Sequence, residues 1–177
     1  MKRELRLSGS GGQGLILAGI ILAEAAIKDG LNALQSQSYG PEARGGASKA
    51  EVIISDDEIN FPKVRKPDII LALTQKALDT YASDLNENSI LVVDDSLHIS
   101  DNITVGKVYK LPIINTATNK IGKTMVANIV ALGVIGEILQ VVEIETLKEA
   151  ILQRVPEGTE KLNMTALEEG VQLVKNS

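Results

Sequence analysis

Two short runs constrain the fold more than any other feature of the chain: Asp68 to Leu73 (Asp-Ile-Ile-Leu-Ala-Leu) and Ser89 to Asp94 (Ser-Ile-Leu-Val-Val-Asp). Each is apolar without alternation and of strand length, the pattern of a strand buried on both faces of a parallel sheet clothed in helices. Gln75 to Asp84, between them, predicts a crossover helix. Further strands are predicted at Arg3 to Ser8, Asn32 to Gln37, Ser48 to Ser55 and Val108 to Ile113. Leu15 to Lys28 is dense in Leu, Ile and Ala, and Gly30 just past its end is a helix stop. Lys123 to Gln140 reads as a long, almost wholly apolar helix. Two amphipathic helices follow, Glu145 to Arg154 and Thr159 to Lys175, the last with Leu162, Ala166, Val171 and Val174 near one face. Strands alternating with helices across short connections predict an α/β fold, a doubly wound, mostly parallel sheet with helices on both faces (Rossmann-like). No linker or repeat divides the chain, so residues 1–177 are expected to form a single domain. With one Phe, three Tyr and no Trp, its core must be aliphatic.

Composition removes several function classes. There is no Cys, so the chain offers no thiolate to an iron–sulfur cluster or a zinc site. A single His, His98, leaves little for a histidine metal site or a Ser-His-Asp triad. The expected lists of catalytic and metal-binding residues are therefore empty. A net charge of −5 argues against nucleic acid or an anionic membrane as partner. The longest uncharged stretch in the apolar helix, Thr124 to Gly136, has 13 residues, too few to cross a bilayer. The start, Met1-Lys2-Arg3-Glu4-Leu5-Arg6-Leu7, is too charged for a signal peptide, and the expected location is the cytoplasm.

Gly9-Ser10-Gly11-Gly12-Gln13-Gly14 stands between a predicted strand and a predicted helix. Glycine permits a tight turn and close backbone approach, and a helix N-terminus offers N–H groups to an anion. Gly9, Gly11, Gly12, Gln13 and Gly14 are thus candidate cofactor-binding residues. The dinucleotide fingerprint also asks for an acid about 20 residues further on, whereas Leu31 to Gln37 contains none. The loop also lacks the lysine of a phosphate-binding P-loop. Three readings stay open: a sharp turn into a closely packed helix, contact with a phosphate or cofactor, and packing against a partner subunit.

Ser38 to Gly46 is a second glycine-rich loop, placed after the second predicted strand and so at the same sheet edge as the first. Tyr39, Gly40, Glu42, Arg44, Gly45 and Gly46 are its candidate partner- or ligand-facing residues, and Arg44 suits a carboxylate or phosphate fork. A solvated hairpin loop with a local Glu–Arg pair is the alternative.

These two loops, together with Glu51 to Asp56 (Glu-Val-Ile-Ile-Ser-Asp) and Asn128 to Gly133 (Asn-Ile-Val-Ala-Leu-Gly), resemble the gamma subunit of 2-oxoacid:ferredoxin oxidoreductases. The resemblance covers residues 5 to 140 or thereabouts. It implies an accessory subunit of a thiamine-dependent enzyme that converts a 2-oxoacid and CoA to an acyl-CoA and CO2, with two electrons passing to ferredoxin. Thiamine diphosphate, magnesium and iron–sulfur clusters would sit on alpha and beta subunits, with a delta subunit as a further companion. No cofactor is expected on this chain alone; it also lacks the Gly-Asp-Gly segment with paired Asn of thiamine enzymes. CoA enters as co-substrate. The loop wording is most like the 2-oxoglutarate class; a branched-chain or pyruvate enzyme is the alternative, and a stand-alone nucleotide-binding protein a further one. The isolated chain is expected to be inactive, and self-association into a homodimer is compatible with this reading.

Other polar residues have plainer readings. Asp94 and Asp95, at a strand end, suit a turn cap or a magnesium ligand, and Thr74 a ligand contact at the same edge. Asn128, inside an apolar helix, needs a hydrogen-bond partner. That helix is either the centre of its own domain or a subunit interface, where Gly133 and Gly136 would allow close backbone approach.

Overall fold

The computed structural model describes residues 1–39 and 46–177, with Tyr39 by its backbone. Its six strands are β1 Lys2–Ser10, β2 Asn32–Tyr39, β3 Ala47–Ser55, β4 Ile69–Ala72, β5 Ile90–Asp94 and β6 Lys107–Leu111. They form one sheet in the order β2-β3-β1-β4-β5-β6. β1, β4, β5 and β6 pair in parallel, while β3 runs antiparallel to both β1 and β2. Five strands therefore point the same way and β3 alone opposes them. The doubly wound, mostly parallel arrangement holds, with one reversed strand that the sequence pattern does not reveal. The reason is local: β2 and β3 are consecutive, pair antiparallel and are separated by residues 40–46 alone, a connection too short for a crossover helix.

The helices are α1 Leu15–Lys28, α2 Gln75–Tyr81, α3 Ile113–Asn115, α4 Ala127–Leu139, α5 Ile144–Leu152 and α6 Glu160–Lys175. α3 continues as a wider π-type turn over Thr116–Ile121, and a 3-10 turn, Thr124–Val126, leads into α4. The apolar helix read as 123–140 is thus shorter at its start, and the turn at 113–121 was not foreseen. No helix of the described residues is long and apolar enough to cross a membrane.

Strand periodicity sorts the side chains onto two faces. Leu5, Leu7, Val52, Ile54, Ile69, Leu71 and Val92 share a core with α1, α4, α5 and α6. Ile70, Ala72, Leu91 and Val93 form a smaller core on the other face with Leu78 of α2. On that second face Arg6 stands opposite Glu51 in the β1–β3 ladder. Its Nε donates to Glu51 at 2.8 Å, and one terminal nitrogen donates to Asp84 at 2.7 Å and to the Tyr81 carbonyl at 3.0 Å. This buried charge is paired on two sides, the condition under which burial is tolerated. It fastens the end of α2 to the middle of the sheet.

Residues 127–136 of α4 are all buried within the chain's own fold, which settles the apolar helix as a central element rather than an exposed interface. It crosses α6 at two glycines. A Cβ on Gly133 would stand 2.2 Å from the Leu167 carbonyl oxygen, and one on Gly170 would stand 2.0 Å from that of Val130. The buried face of α6 is Asn163, Ala166, Leu167, Gly170 and Val171, a face rotated slightly from the one predicted, because Gly170 takes the closest approach. Gly136 meets only the side chains of Leu147 and Ile144. Gly170→Ala is expected to destabilise the chain by about 2–3 kcal/mol, since backbone rather than a flexible side chain must move. Urea unfolding should show a lower midpoint with unchanged slope; an unchanged midpoint would contradict the close crossing.

Candidate functional site

The chain leaves β1 for β2 on one side and later returns to the other side of β1 with β4. The C-terminal end of β1 is therefore where the strand order reverses, the place at which doubly wound sheets bind ligands. Residues 11–14, between β1 and α1, occupy that point. Ser10 pairs with Ala47, and Tyr39 with Ser48, so the described ends of the second loop lie at the same sheet edge as the first.

The first loop is closed on itself. The Ser10 amide donates to the Gln13 side-chain oxygen at 2.8 Å, and the Gln13 amide donates back to the Ser10 carbonyl at 3.3 Å. Gly12 and Gly14 have φ of 87° and 74°, left-handed values that cost other residues about 1–2 kcal/mol. Gly14 caps α1 with no side-chain hydrogen bond to its first turn, so that end presents backbone N–H groups and the positive end of the helix dipole. Gly9 is held for contact: a Cβ there would lie 2.2 Å from the Gln13 oxygen and 2.8 Å from Leu15 Cδ1. Gly11 has no atom within 4 Å of its missing Cβ; its free side looks into an open depression.

That depression has a volume of about 400 Å³. It is lined by Ser10, Gly11, Gly12 and Gly14 of the turn, by Ile16 and Ile20 of α1 and by Ser48 of β3. It offers backbone donors at one end and an apolar strip along α1, a combination suited to an anionic group with a thin, weakly polar tail.

Asn128 of α4 holds the loop from behind. Its side-chain nitrogen donates to the Gly14 carbonyl at 3.2 Å, and its side-chain oxygen accepts from the Ile129 amide at 3.0 Å. The buried amide thus has the partner its position demanded. It also explains Gly14 a second time, because a Cβ there would sit 2.5 Å from the Asn128 nitrogen.

The sequence-predicted residues Gly9, Gly11, Gly12, Gln13 and Gly14 are brought together in this turn. Of the second loop, Gly40, Glu42, Arg44 and Gly45 lie outside the described residues; Gly46 directly precedes β3. Asp94 is a turn cap: its carboxylate accepts from the Ser96 amide and hydroxyl at 3.2 and 2.5 Å and from the Ile114 amide at 2.8 Å. Asp95 and His98 are exposed, and Thr74 caps α2 by accepting from the Ala77 amide. Among the described residues no group of three or more His, Asp or Glu could hold a metal ion. Ser48, Ile16 and Ile20 were not singled out from the sequence; only the pairing of β3 with β1 carries Ser48 to the rim.

A family model described as pyruvate ferredoxin/flavodoxin oxidoreductase matches residues 4–173. The chain belongs to this family. Within it, the chain is similar to the 2-oxoglutarate synthase subunit KorC of Methanocaldococcus jannaschii, at 48% identity across 99% of this chain and 95% of that one. It is similar in structure to the gamma subunit of a keto/oxoacid ferredoxin oxidoreductase from Geobacter sulfurreducens, with TM-score 0.87 and 49% identity over 99% of both chains. The chain is thus one of the family's gamma-type subunits. The same fold occurs in a 2-oxoglutarate:ferredoxin oxidoreductase from Magnetococcus marinus, with TM-score 0.89 at 23% identity, over 99% of this chain and 31% of that one.

Replacing Asn128 by Ala in this oxidoreductase subunit is expected to destabilise it by about 1–3 kcal/mol. Hydrogen exchange should quicken at the amides of residues 14–18 before the rest of the molecule is affected. Uniform change across α1 and the sheet would contradict a local tether.

Proposed function

We propose that this gamma-type subunit serves a 2-oxoglutarate:ferredoxin oxidoreductase, and that its part in the reaction is to hold CoA beside the catalytic chains. The observation that carries the reading is the near full-length identity of 48% with a 2-oxoglutarate synthase subunit. The depression at Gly11 supports the second half. A phosphate group of CoA meets the N-terminal amides of α1, where the dipole and unpaired N–H groups favour negative charge. The pantetheine arm lies along Ile16 and Ile20, which neither charge nor crowd it. The Magnetococcus marinus enzyme of the same fold is described with 2-oxoglutarate, CoA and succinyl-CoA bound.

The overall reaction consumes 2-oxoglutarate, CoA and two oxidised ferredoxins, and yields succinyl-CoA, CO2, a proton and two reduced ferredoxins. Thiamine diphosphate with magnesium would supply the decarboxylation chemistry on companion alpha and beta chains, and iron–sulfur clusters there would carry the electrons. This chain, without Cys, has no thiolate to bind such a cluster. Its own residues bind and orient: Gly12 and Gly14 shape the anion cradle, Gln13 locks it, and Asn128 fixes its position against α4. Arg44 and Glu42 of the second loop are assigned to the same ligand or to the neighbouring chain, and the cytoplasm is the proposed compartment.

An anaerobic affinity pull-down of the tagged chain, assayed for 2-oxoacid- and CoA-dependent viologen reduction, tests this directly. Larger chains carrying thiamine diphosphate and iron should co-elute with activity highest on 2-oxoglutarate, and the separated chain should be inactive. A chain that elutes alone would contradict the reading, and a preference for pyruvate or a branched-chain acid would correct its substrate. Gly11→Val adds side chain only to the open depression, so the chain should fold normally. In the assembled enzyme it should raise the KM for CoA about tenfold, equivalent to about 1.4 kcal/mol, with kcat little changed. Arg44→Ala should weaken assembly or CoA-dependent turnover; normal assembly and kinetics would remove Arg44 from the site.

A further inference from the structure

The two edges of the sheet are built differently. β6, at one edge, reads Lys-Val-Tyr-Lys-Leu and carries Lys107 and Lys110. Charged residues of this kind, lysine above all, are how edge strands avoid pairing with other chains. β2, at the opposite edge, reads Asn-Ala-Leu-Gln-Ser-Gln-Ser-Tyr, with neither charge nor proline over its 8 residues. β3 takes one side of β2 along its whole length. Among the described residues no strand pairs with the other side, which presents alternate N–H and C=O groups.

α1 lies over the same edge. Its Gly19 rests on Ala50 and Val52 of β3 and on Gln35 of β2, and Ala18, Ile21 and Ala25 are buried on one flank. At about 100° per residue, Ile20 and Ile27 fall on the opposite flank, beyond the Gly19 side that rests on β2. Ile27 is 57% exposed there, a large apolar side chain with no cover from its own fold.

We propose that a second copy of this chain pairs with β2, antiparallel and edge to edge, about a two-fold axis perpendicular to the sheet. Such an axis sets the strand against its own sequence, so charges near the middle are brought close to their own copies. β6 is unsuited to this and β2 is free of the penalty. The centre of β2, Gln35-Ser36-Gln37, reads the same in both directions. Pairing about Ser36 sets Gln35 opposite Gln37 of the second copy; the Gln35 amide, which within its own strand donates to the Ser36 carbonyl at 3.3 Å and to the Gln37 oxygen at 3.5 Å, exchanges these long contacts for the facing amide, which can both donate and accept. Pairing at this edge brings the Ile27 end of α1 against its copy on the same face of the extended sheet, which removes the exposed Ile27 from water, while Ile20 stays with the depression at the glycine turn. A companion chain of different sequence would require no such self-match. The inference does not depend on CoA binding at the glycine turn.

Light scattering on the purified full-length chain should give twice its mass of 18.9 kDa. The double substitution Ser36→Lys and Ile27→Lys should give the single-chain mass with an unchanged circular dichroism spectrum, whereas Val108→Lys on the β6 edge should remain dimeric. A wild-type chain that stays at 18.9 kDa at every concentration overturns the proposal, as does a doubly charged variant that still dimerises. Hydrogen exchange gives a reading that needs no variant. Amides of residues 32–39 should be protected in concentrated protein and lose protection on dilution. Protection of β2 that arises only when companion subunits are added would assign the edge to them and overturn pairing between copies.

Discussion

One side-chain amide holds the arrangement together. Asn128, from the most buried helix of the protein, donates to the carbonyl of Gly14, the residue at which β1 gives way to α1. β1 is itself fixed on both sides, by β3 and by β4. The turn therefore joins two elements that have no freedom to adjust, and its four residues must adopt whatever geometry remains. Left-handed φ values at Gly12 and Gly14 are the consequence. So is the contact of Gly9 with Gln13, which leaves no room for a Cβ. The end of α1 reaches the surface rigid, uncapped by any side chain and open to an anion.

The same constraint propagates outward. α4 can reach Gly14 because α6 covers it, and α6 lies close because Gly133 and Gly170 bring the two backbones together. On the other face, Arg6 reaches Glu51 and Asp84 and fixes α2 beneath the sheet. Neither arrangement touches the depression. Both set the position of the strands whose ends form it, which is how packing far from a site governs its shape.

Much of this was legible in the residues. The unbroken apolar runs at 69–72 and 90–93 lie in the sheet's parallel half, where burial on both faces leaves no alternation to misread. The glycine turn was readable because its residue types are needed for backbone reasons alone. β3 was readable as a strand but not as a reversed one, because direction is decided by pairing with β2 and leaves no mark on strand composition. Arg6 lies within the strand predicted at 3–8 with nothing local to mark it; its role depends on Glu51 and Asp84, 45 and 78 residues away. Gly170 was invisible for a similar reason, since only the crossing with α4 gives it meaning. Ser48 joined the site through strand register, which no local pattern encodes.

The central claim is that this family member offers the N-terminus of α1 to CoA while the redox chemistry proceeds on other chains. Hydrogen exchange on the assembled enzyme, with and without CoA, tests it most directly. The account predicts slowed exchange at the amides of residues 11–17 when CoA is bound, with α6 and β6 unaffected. Unchanged exchange at those amides, in an enzyme shown to be saturated with CoA, would contradict it.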